Sequence, residues 1–311
     1  MSREHAHVHG TAAGDRRWLT AALAVVVAFM VVEVVAGFVA HSLALLTDAG
    51  HMVTDAVALL VAVIAAGIAR RPARGAYTYG FARVDALSGQ ANGITLLLLA
   101  VWFEVVAVRR LIDPVDVRGG VVATVAVIGA AVNVVALLLV RRADRSSLNV
   151  RGAFLHLLTD AWAFAATFIA GVVVLTTGWT RADAIASMVV GLLMAWTGWA
   201  LVRAAGRVFL EAAPTGVDPS AIGAELAAVD GVSEVHDLHI WQIGSGDVAV
   251  SAHVLVHPPF DCHEVSSRLR SALASRGIGH VTLQTDHADA PAHDAGACEE
   301  AHGEVHVAPP T

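Results

Sequence analysis

Lysine is missing from this 311-residue chain: all 20 of its basic residues are arginine. We read that as a bias of genomic composition. Charge of either sign is also scarce. Only 15% of residues are Asp, Glu, Lys or Arg, against roughly 25% in soluble globular proteins, so an ordinary water-soluble domain of this length is excluded. Cysteine occurs twice, at Cys262 and Cys298. Two are too few for a disulfide scaffold, and in a reducing cytoplasm both stay thiols. Basic residues nearly vanish after Phe209, where 3 Arg face 15 acids; before it, 17 Arg face 12 acids. An acidic segment that also holds 10 of the 16 histidines argues against nucleic acid, which needs a basic surface, and suits cations. No H-E-x-x-H string occurs, which leaves a zinc-hydrolase reading without its ligands.

Long apolar runs are plentiful. A membrane span needs roughly 20 predominantly apolar residues, and six runs qualify: 18–40, 42–69, 84–108, 120–140, 152–176 and 182–202. The first is too long for a signal-peptide core, and no small-residue cleavage site follows it. Orientation follows from arginine in the loops. Twelve arginines (16, 17, 70, 71, 74, 83, 141, 142, 145, 151, 203 and 207) fall on one side and four (109, 110, 118 and 181) on the other. That asymmetry predicts both termini in the cytoplasm, with the chain integral to the inner (plasma) membrane.

After Arg207 the pattern changes. Pro214–Pro219 reads as a linker, 221–229 as a short helix, 232–243 and 248–256 as alternating strands of a hairpin, 263–276 as a helix and 279–285 as a last strand. The expected fold class is a polytopic α-helical membrane protein with six transmembrane helices and a C-terminal α+β domain of ferredoxin-like α-β-β-α-β order. The expected division is a His-containing tail (1–17), a transmembrane domain (18–208), a cytoplasmic dimerisation and metal-binding domain (209–288), and a disordered His- and acid-rich tail (289–311).

Two strings repeat each other inside the apolar runs: His51-Met-Val-Thr-Asp55 and His156-Leu-Leu-Thr-Asp160. A spacing of four stacks His and Asp on one helical face. Both runs start from the same side, so the two faces can meet in parallel. Together they offer two imidazoles and two carboxylates, a tetrahedral donor set for a divalent transition metal, and imidazole favours zinc over magnesium or calcium. Ionisable groups at membrane depth are costly and usually functional. The pattern predicts that His51, Asp55, His156 and Asp160 carry a metal ion, Zn2+ first among candidates, across the lipid bilayer. Asp48 lies two turns before Asp55 on roughly the same face, as a hydrogen-bond partner of His51, in the approach to the site, or at a helix end near the water.

The stretch Ser42-Leu-Ala-Leu-Leu-Thr-Asp-Ala-Gly-His-Met-Val-Thr-Asp55 resembles the second span of the cation diffusion facilitators, zinc-exporting branch. His156–Asp160 resembles their fifth span, Tyr79-Gly-Phe-Ala-Arg83 the cytoplasmic signature before their third, and Asp237-Leu-His-Ile-Trp241 the first strand of their cytoplasmic domain. The resemblance covers 18–286. It implies a homodimer, not an enzyme, that exchanges cytoplasmic Zn2+ for external protons by alternating access. It also implies further zinc in the cytoplasmic domain on His236, His253 and Asp286. Gln284 departs from the pattern, standing where some relatives have a ligand histidine. The loops 70–80 and 141–151 hold no histidine, and we expect no metal site in either. Alternatives are Cd2+, Co2+ or Ni2+ as the main cargo, a non-transporting metal sensor, and an intramembrane metallohydrolase. Glu33, Gln90, Asn92, Glu104 and Asn133 are expected to make interhelical hydrogen bonds. His5, His7 and His9, and His293, Cys298, His302 and His306, fall in the tails. Cys262 and His263 are expected to be ordinary helix-start residues, and His239 and Trp241 packing or dimer surface.

Overall fold

The structure is a computed structural model that describes residues 12–69, 71–140, 148–244, 247–289 and 303–308; within these, side chains are described except at 12–23, 58–59, 62–63, 66, 140 and 148–159. Six long helices come first: α1 (Ala12–Ala40), α2 (Leu43–Ala69), α3 (Val84–Ile112), α4 (Gly119–Val140), α5 (Leu148–Thr177) and α6 (Arg181–Phe209). Among the described residues, the segments Val84–Ile112, Gly119–Leu139, Asp160–Thr177 and Arg181–Phe209 are long and apolar enough to cross a membrane. Large apolar side chains such as Phe38, Leu98, Trp102, Trp162, Trp196 and Trp199 point outward, which suits a surface solvated by lipid. The chain divides into two compact units, Met1–Leu60 with Ala91–Ala200, and Val61–Gln90 with Leu201–Thr311.

In the first unit the helices approach through small residues. Lipid is as apolar as leucine, so close backbone contact has to supply much of the attraction between helices. A Cβ on Gly171 of α5 would stand 2.5 Å from the Ala123 nitrogen of α4, and one on Gly119 of α4 would stand 2.8 Å from the Gly171 carbonyl oxygen. One turn-pair further along, Gly129 makes room for Phe29 of α1 and Phe164 of α5, whose rings meet edge to face at 5.7 Å.

The link between α1 and α2 is two residues. His41 takes a left-handed conformation (φ 55°), and Ser42 caps α2 by accepting from the Leu45 N–H at 3.2 Å. A second cap comes from α6. The Asp183 carboxylate accepts from the Ser42 hydroxyl, from the Leu43 N–H at 2.6 Å and from the Ala44 N–H at 3.4 Å. The Arg110 guanidinium donates to the His41 carbonyl at 2.6 Å and stands 3.8 Å from Asp183. An acid at a helix N-terminus satisfies orphan N–H groups and offsets the helix dipole, so Asp183 fixes where α2 begins.

In the second unit α7 (Pro219–Ala227) is capped by Asp218, with Pro219 in its first turn. It leads into β1 (Val232–Gln242), β2 (Val248–Val256), α8 (Cys262–Ser275) and β3 (His280–His287), the expected α-β-β-α-β order. β1 and β2 pair antiparallel, β2 and β3 parallel. One sheet face carries Val235, Ile240, Val250, Val254 and Val256 into a core with Ile222, Leu226, Leu269 and Leu273 of the helices. The Tyr79–Arg83 signature belongs to this unit: Tyr79 meets His280 at 5.8 Å and Arg83 pairs with Glu211 at 2.8 Å.

The C-terminal tail differs from its expected disorder where it is described. His306 and Val307 form a short strand, β4, so the sheet order is β3-β2-β1-β4. The outer edge of β1 presents unpaired backbone groups, and an edge left open invites another strand. Gly223 supplies the second reason. A Cβ there would collide with the His306 ring, which is buried. His5, His7, His9, His293, Cys298 and His302 lie outside the described residues.

Filling the α4–α5 contact should be costly. Gly171→Val is expected to destabilise the detergent-solubilised protein by about 1–3 kcal/mol, the usual cost of overpacking. Gly67→Val, where a Cβ meets nothing within 4 Å, is expected to be nearly silent. Equal thermal unfolding temperatures for the two variants would contradict this packing.

Candidate metal centres

Helix geometry alone places His51 and Asp55 on one face of α2, and the fold adds Asp160 of α5. His51 Nε2 lies 3.6 Å from Asp55 Oδ2 and 3.9 Å from Asp160 Oδ1. Two nitrogen or oxygen donors on one zinc stand about 3.3 Å apart, given bonds of about 2.0–2.2 Å at a tetrahedral angle. The observed spacings are a few tenths of an ångström wider, a contraction that side-chain rotation supplies. His51 is 8% exposed. His156 lies on α5 one turn before Asp160, and its side chain is outside those described.

Asp48 of α2 is 2% exposed and Glu33 of α1 fully buried. Among the described residues neither Glu33 oxygen nor Asp48 Oδ2 has a hydrogen-bond partner, so the interhelical hydrogen bond expected of Glu33 is not made there. The hydroxyl of Thr47 meets that of Ser187 at 2.6 Å, a further polar tie between α2 and α6.

The second constellation lies on the sheet of the other unit, on the face away from the helices. His236 and His253 are direct cross-strand partners, with ring centroids 5.5 Å apart. Strict alternation would send Asp237 to the opposite face from His236. A register shift between His236 and His239 inserts one extra residue, and Asp237 takes it in a left-handed conformation (φ 48°), which Asp tolerates better than most residues. Its carboxylate reaches His253 Nδ1 at 3.5 Å. Donor atoms of His236, Asp237 and His253 all lie within 4.8 Å of one another, the one such group of three among the described residues. The expected third donor, Asp286, lies outside this trio and accepts from Gln284 Nε2 at 3.1 Å.

Sequence reasoning therefore found two of the three clustered groups on the sheet and missed Asp237, because nothing in a strand pattern announces a bulge. It also passed over Asp183. The available signal was an acid in the first turn of a span, where it suits the positive end of a helix.

Asp237→Asn keeps the bulge, since Asn also tolerates a left-handed backbone, and removes the carboxylate. In equilibrium dialysis of the full-length protein it is expected to lose one equivalent of tightly bound Zn2+ with an unchanged unfolding temperature. Asp286→Asn is expected to retain that equivalent. The reverse ranking would return the third donor to Asp286.

Comparison with known families covers both units. Residues 19–210 match the family model described as the cation efflux transmembrane domain, and residues 214–288 the one described as the cation efflux protein, cytoplasmic domain. The chain is similar to the zinc transporter ZitB of Escherichia coli (strain K12), 34% identical over 98% of this chain and 99% of that protein. It is similar to the metal cation efflux system protein CzcD of Cupriavidus metallidurans, 34% identical over 95% and 93%. The cadmium, cobalt and zinc/H(+)-K(+) antiporter of Bacillus subtilis (strain 168) is 33% identical over 93% and 94%.

Proposed function

Since the chain belongs to the cation efflux family, the cation diffusion facilitators, which are transporters and not enzymes, we propose that it is a Zn2+/H+ antiporter moving zinc out of the cytoplasm. The observation that carries this reading is the meeting of His51, Asp55 and Asp160 across α2 and α5, with His156 one helical turn from Asp160. In this reading the four residues form the transport site. Six spans place both termini in the cytoplasm of a bacterium's inner membrane, and the cytoplasmic domain joins two copies as a homodimer.

The chemistry is a balance of charge. Zinc enters from the cytoplasm and exchanges its water for two imidazoles and two carboxylates. Two negative charges offset the ion's two positive ones, so the loaded site is close to neutral and tolerates a low dielectric. Once the site opens outward, protons compete for the same lone pairs, because zinc binding needs deprotonated donors. Histidine titrates near neutral pH and suits that exchange. Glu33 and Asp48 lie buried in the same helix bundle, and Asp183 holds the outer end of α2 in register with α6.

The metal range is the finer part of the proposal. Imidazole with carboxylate suits zinc by geometry, although affinity trends alone do not separate zinc from cobalt or nickel. Names of the relatives include zinc, cadmium and cobalt. Metal-by-metal flux in proteoliposomes under an imposed pH gradient decides among them, with Zn2+ expected to move fastest.

His51→Ala and Asp160→Ala are each expected to reduce zinc uptake into everted vesicles to the level of vesicles without the protein. Conversion of His156 to Ala should do the same. Wild-type rates from any one of the three would remove that residue from the site.

A further inference from the structure

The two faces of β3 carry different chemistry at its C-terminal end. Asp286 shares the open face with Gln284 and His253. His287, one residue on, pairs in register with Val256, whose side chain is in the core on the helix side. Alternation therefore turns His287 toward the helix layer. There it meets the start of α8, whose first residue is Cys262, held in place by the Asp261 cap. Cys262 Sγ and His287 Nε2 are 3.5 Å apart.

That separation has a chemical meaning beyond a weak hydrogen bond. A sulfur at about 2.3 Å and a nitrogen at about 2.0–2.1 Å from one zinc ion, at a tetrahedral angle, stand about 3.5 Å from each other. The pair spans 25 residues of sequence and comes from two different elements, so the spacing is set by the fold and not by local chain geometry. Both groups open onto a cleft of about 620 Å3 that is also lined by Asp261, His263 and Asp289. Asp261 is occupied in capping the His263 N–H at 2.7 Å, and among the described residues no third protein donor gathers with Cys262 and His287, which leaves water to complete a coordination shell. Burial and the negative charge of Asp261 and Asp286 hold the Cys262 thiol above its usual range. The charges of Asp261 and Asp286 also attract a divalent cation, whose binding displaces the thiol proton.

We propose that Cys262 and His287 form a second metal site of the cytoplasmic domain, separate from the His236, Asp237 and His253 trio and on the other face of the sheet, and that it takes a thiophilic divalent cation, Zn2+ or Cd2+. Thiolate with imidazole selects these ions over harder ones. Occupancy ties the N-terminus of α8 to the end of β3, so cytosolic metal stabilises the helix layer against the sheet by mass action. The site is distinct from the transport path, and its existence does not depend on the antiport reading.

The test uses full-length protein in detergent with Cys298→Ser, which leaves Cys262 as the single thiol. Cd2+ is the probe, read by its thiolate-to-metal charge-transfer absorbance in the ultraviolet. Zn2+ protection of Cys262 against iodoacetamide is read in parallel, since a metal-bound thiolate is not a free nucleophile. The Cys298→Ser protein should show both signals, and adding Cys262→Ser should abolish the absorbance. His287→Ala and His287→Gln should weaken Zn2+ protection by more than the roughly 10- to 100-fold that loss of an outer hydrogen-bond partner costs. A His236→Ala, His253→Ala double variant should keep both signals. Signals that survive both His287 substitutions, or that vanish with the His236 and His253 pair, would overturn the proposal, as would their absence from the Cys298→Ser protein.

Discussion

Two carboxylates and an imidazole face one another on α2 and α5, within 3.6 and 3.9 Å, in helices otherwise built of alanine, valine and leucine. Away from water such groups are stable only with their charge cancelled or their hydrogen bonds made. Much of the membrane part answers that requirement. Asp183 of α6 spends its carboxylate on the first N–H groups of α2, with Arg110 close by. The group at His51 brings together an imidazole and two carboxylates, donors that suit a divalent ion.

Close helix approach follows from the same solvent. With no hydrophobic drive between helices in lipid, contact area has to come from backbones that nearly touch. Gly119, Gly129 and Gly171 provide it along α4 and α5. That packing sets where α5, and Asp160 with it, stands beside α4. The soluble domain obeys the opposite rule. Its sheet buries one apolar face under α7 and α8 and leaves the other to histidine and aspartate, so His236, Asp237 and His253 are grouped on a rigid platform.

Legibility differed with the scale of the geometry involved. The H-x-x-x-D repeat was readable because helix periodicity is the same in every sequence, and four residues always make about one turn. The six apolar runs and the α-β-β-α-β order were readable for the same reason, since the pattern of burial repeats at the period of each element. Helix ends were less so: α6 runs on to Phe209, past the apolar stretch that marked it. Asp237 was not readable, because one inserted residue reverses the face of a strand. Nor was the strand at His306 and Val307, whose partner is an open sheet edge far away in sequence.

What the sequence determined by itself is chemistry and period: which residues can bind a metal, which face of which element they occupy, and that the chain belongs in a bilayer. Tertiary structure decided the company each residue keeps. Asp160 stands beside His51, Asp183 caps a helix 140 residues earlier, Asp237 joins His236 and His253, and Cys262 finds His287. Each of these depends on packing or pairing between distant segments. Local periodicity places a side chain on a face, and only the assembled fold says what stands opposite.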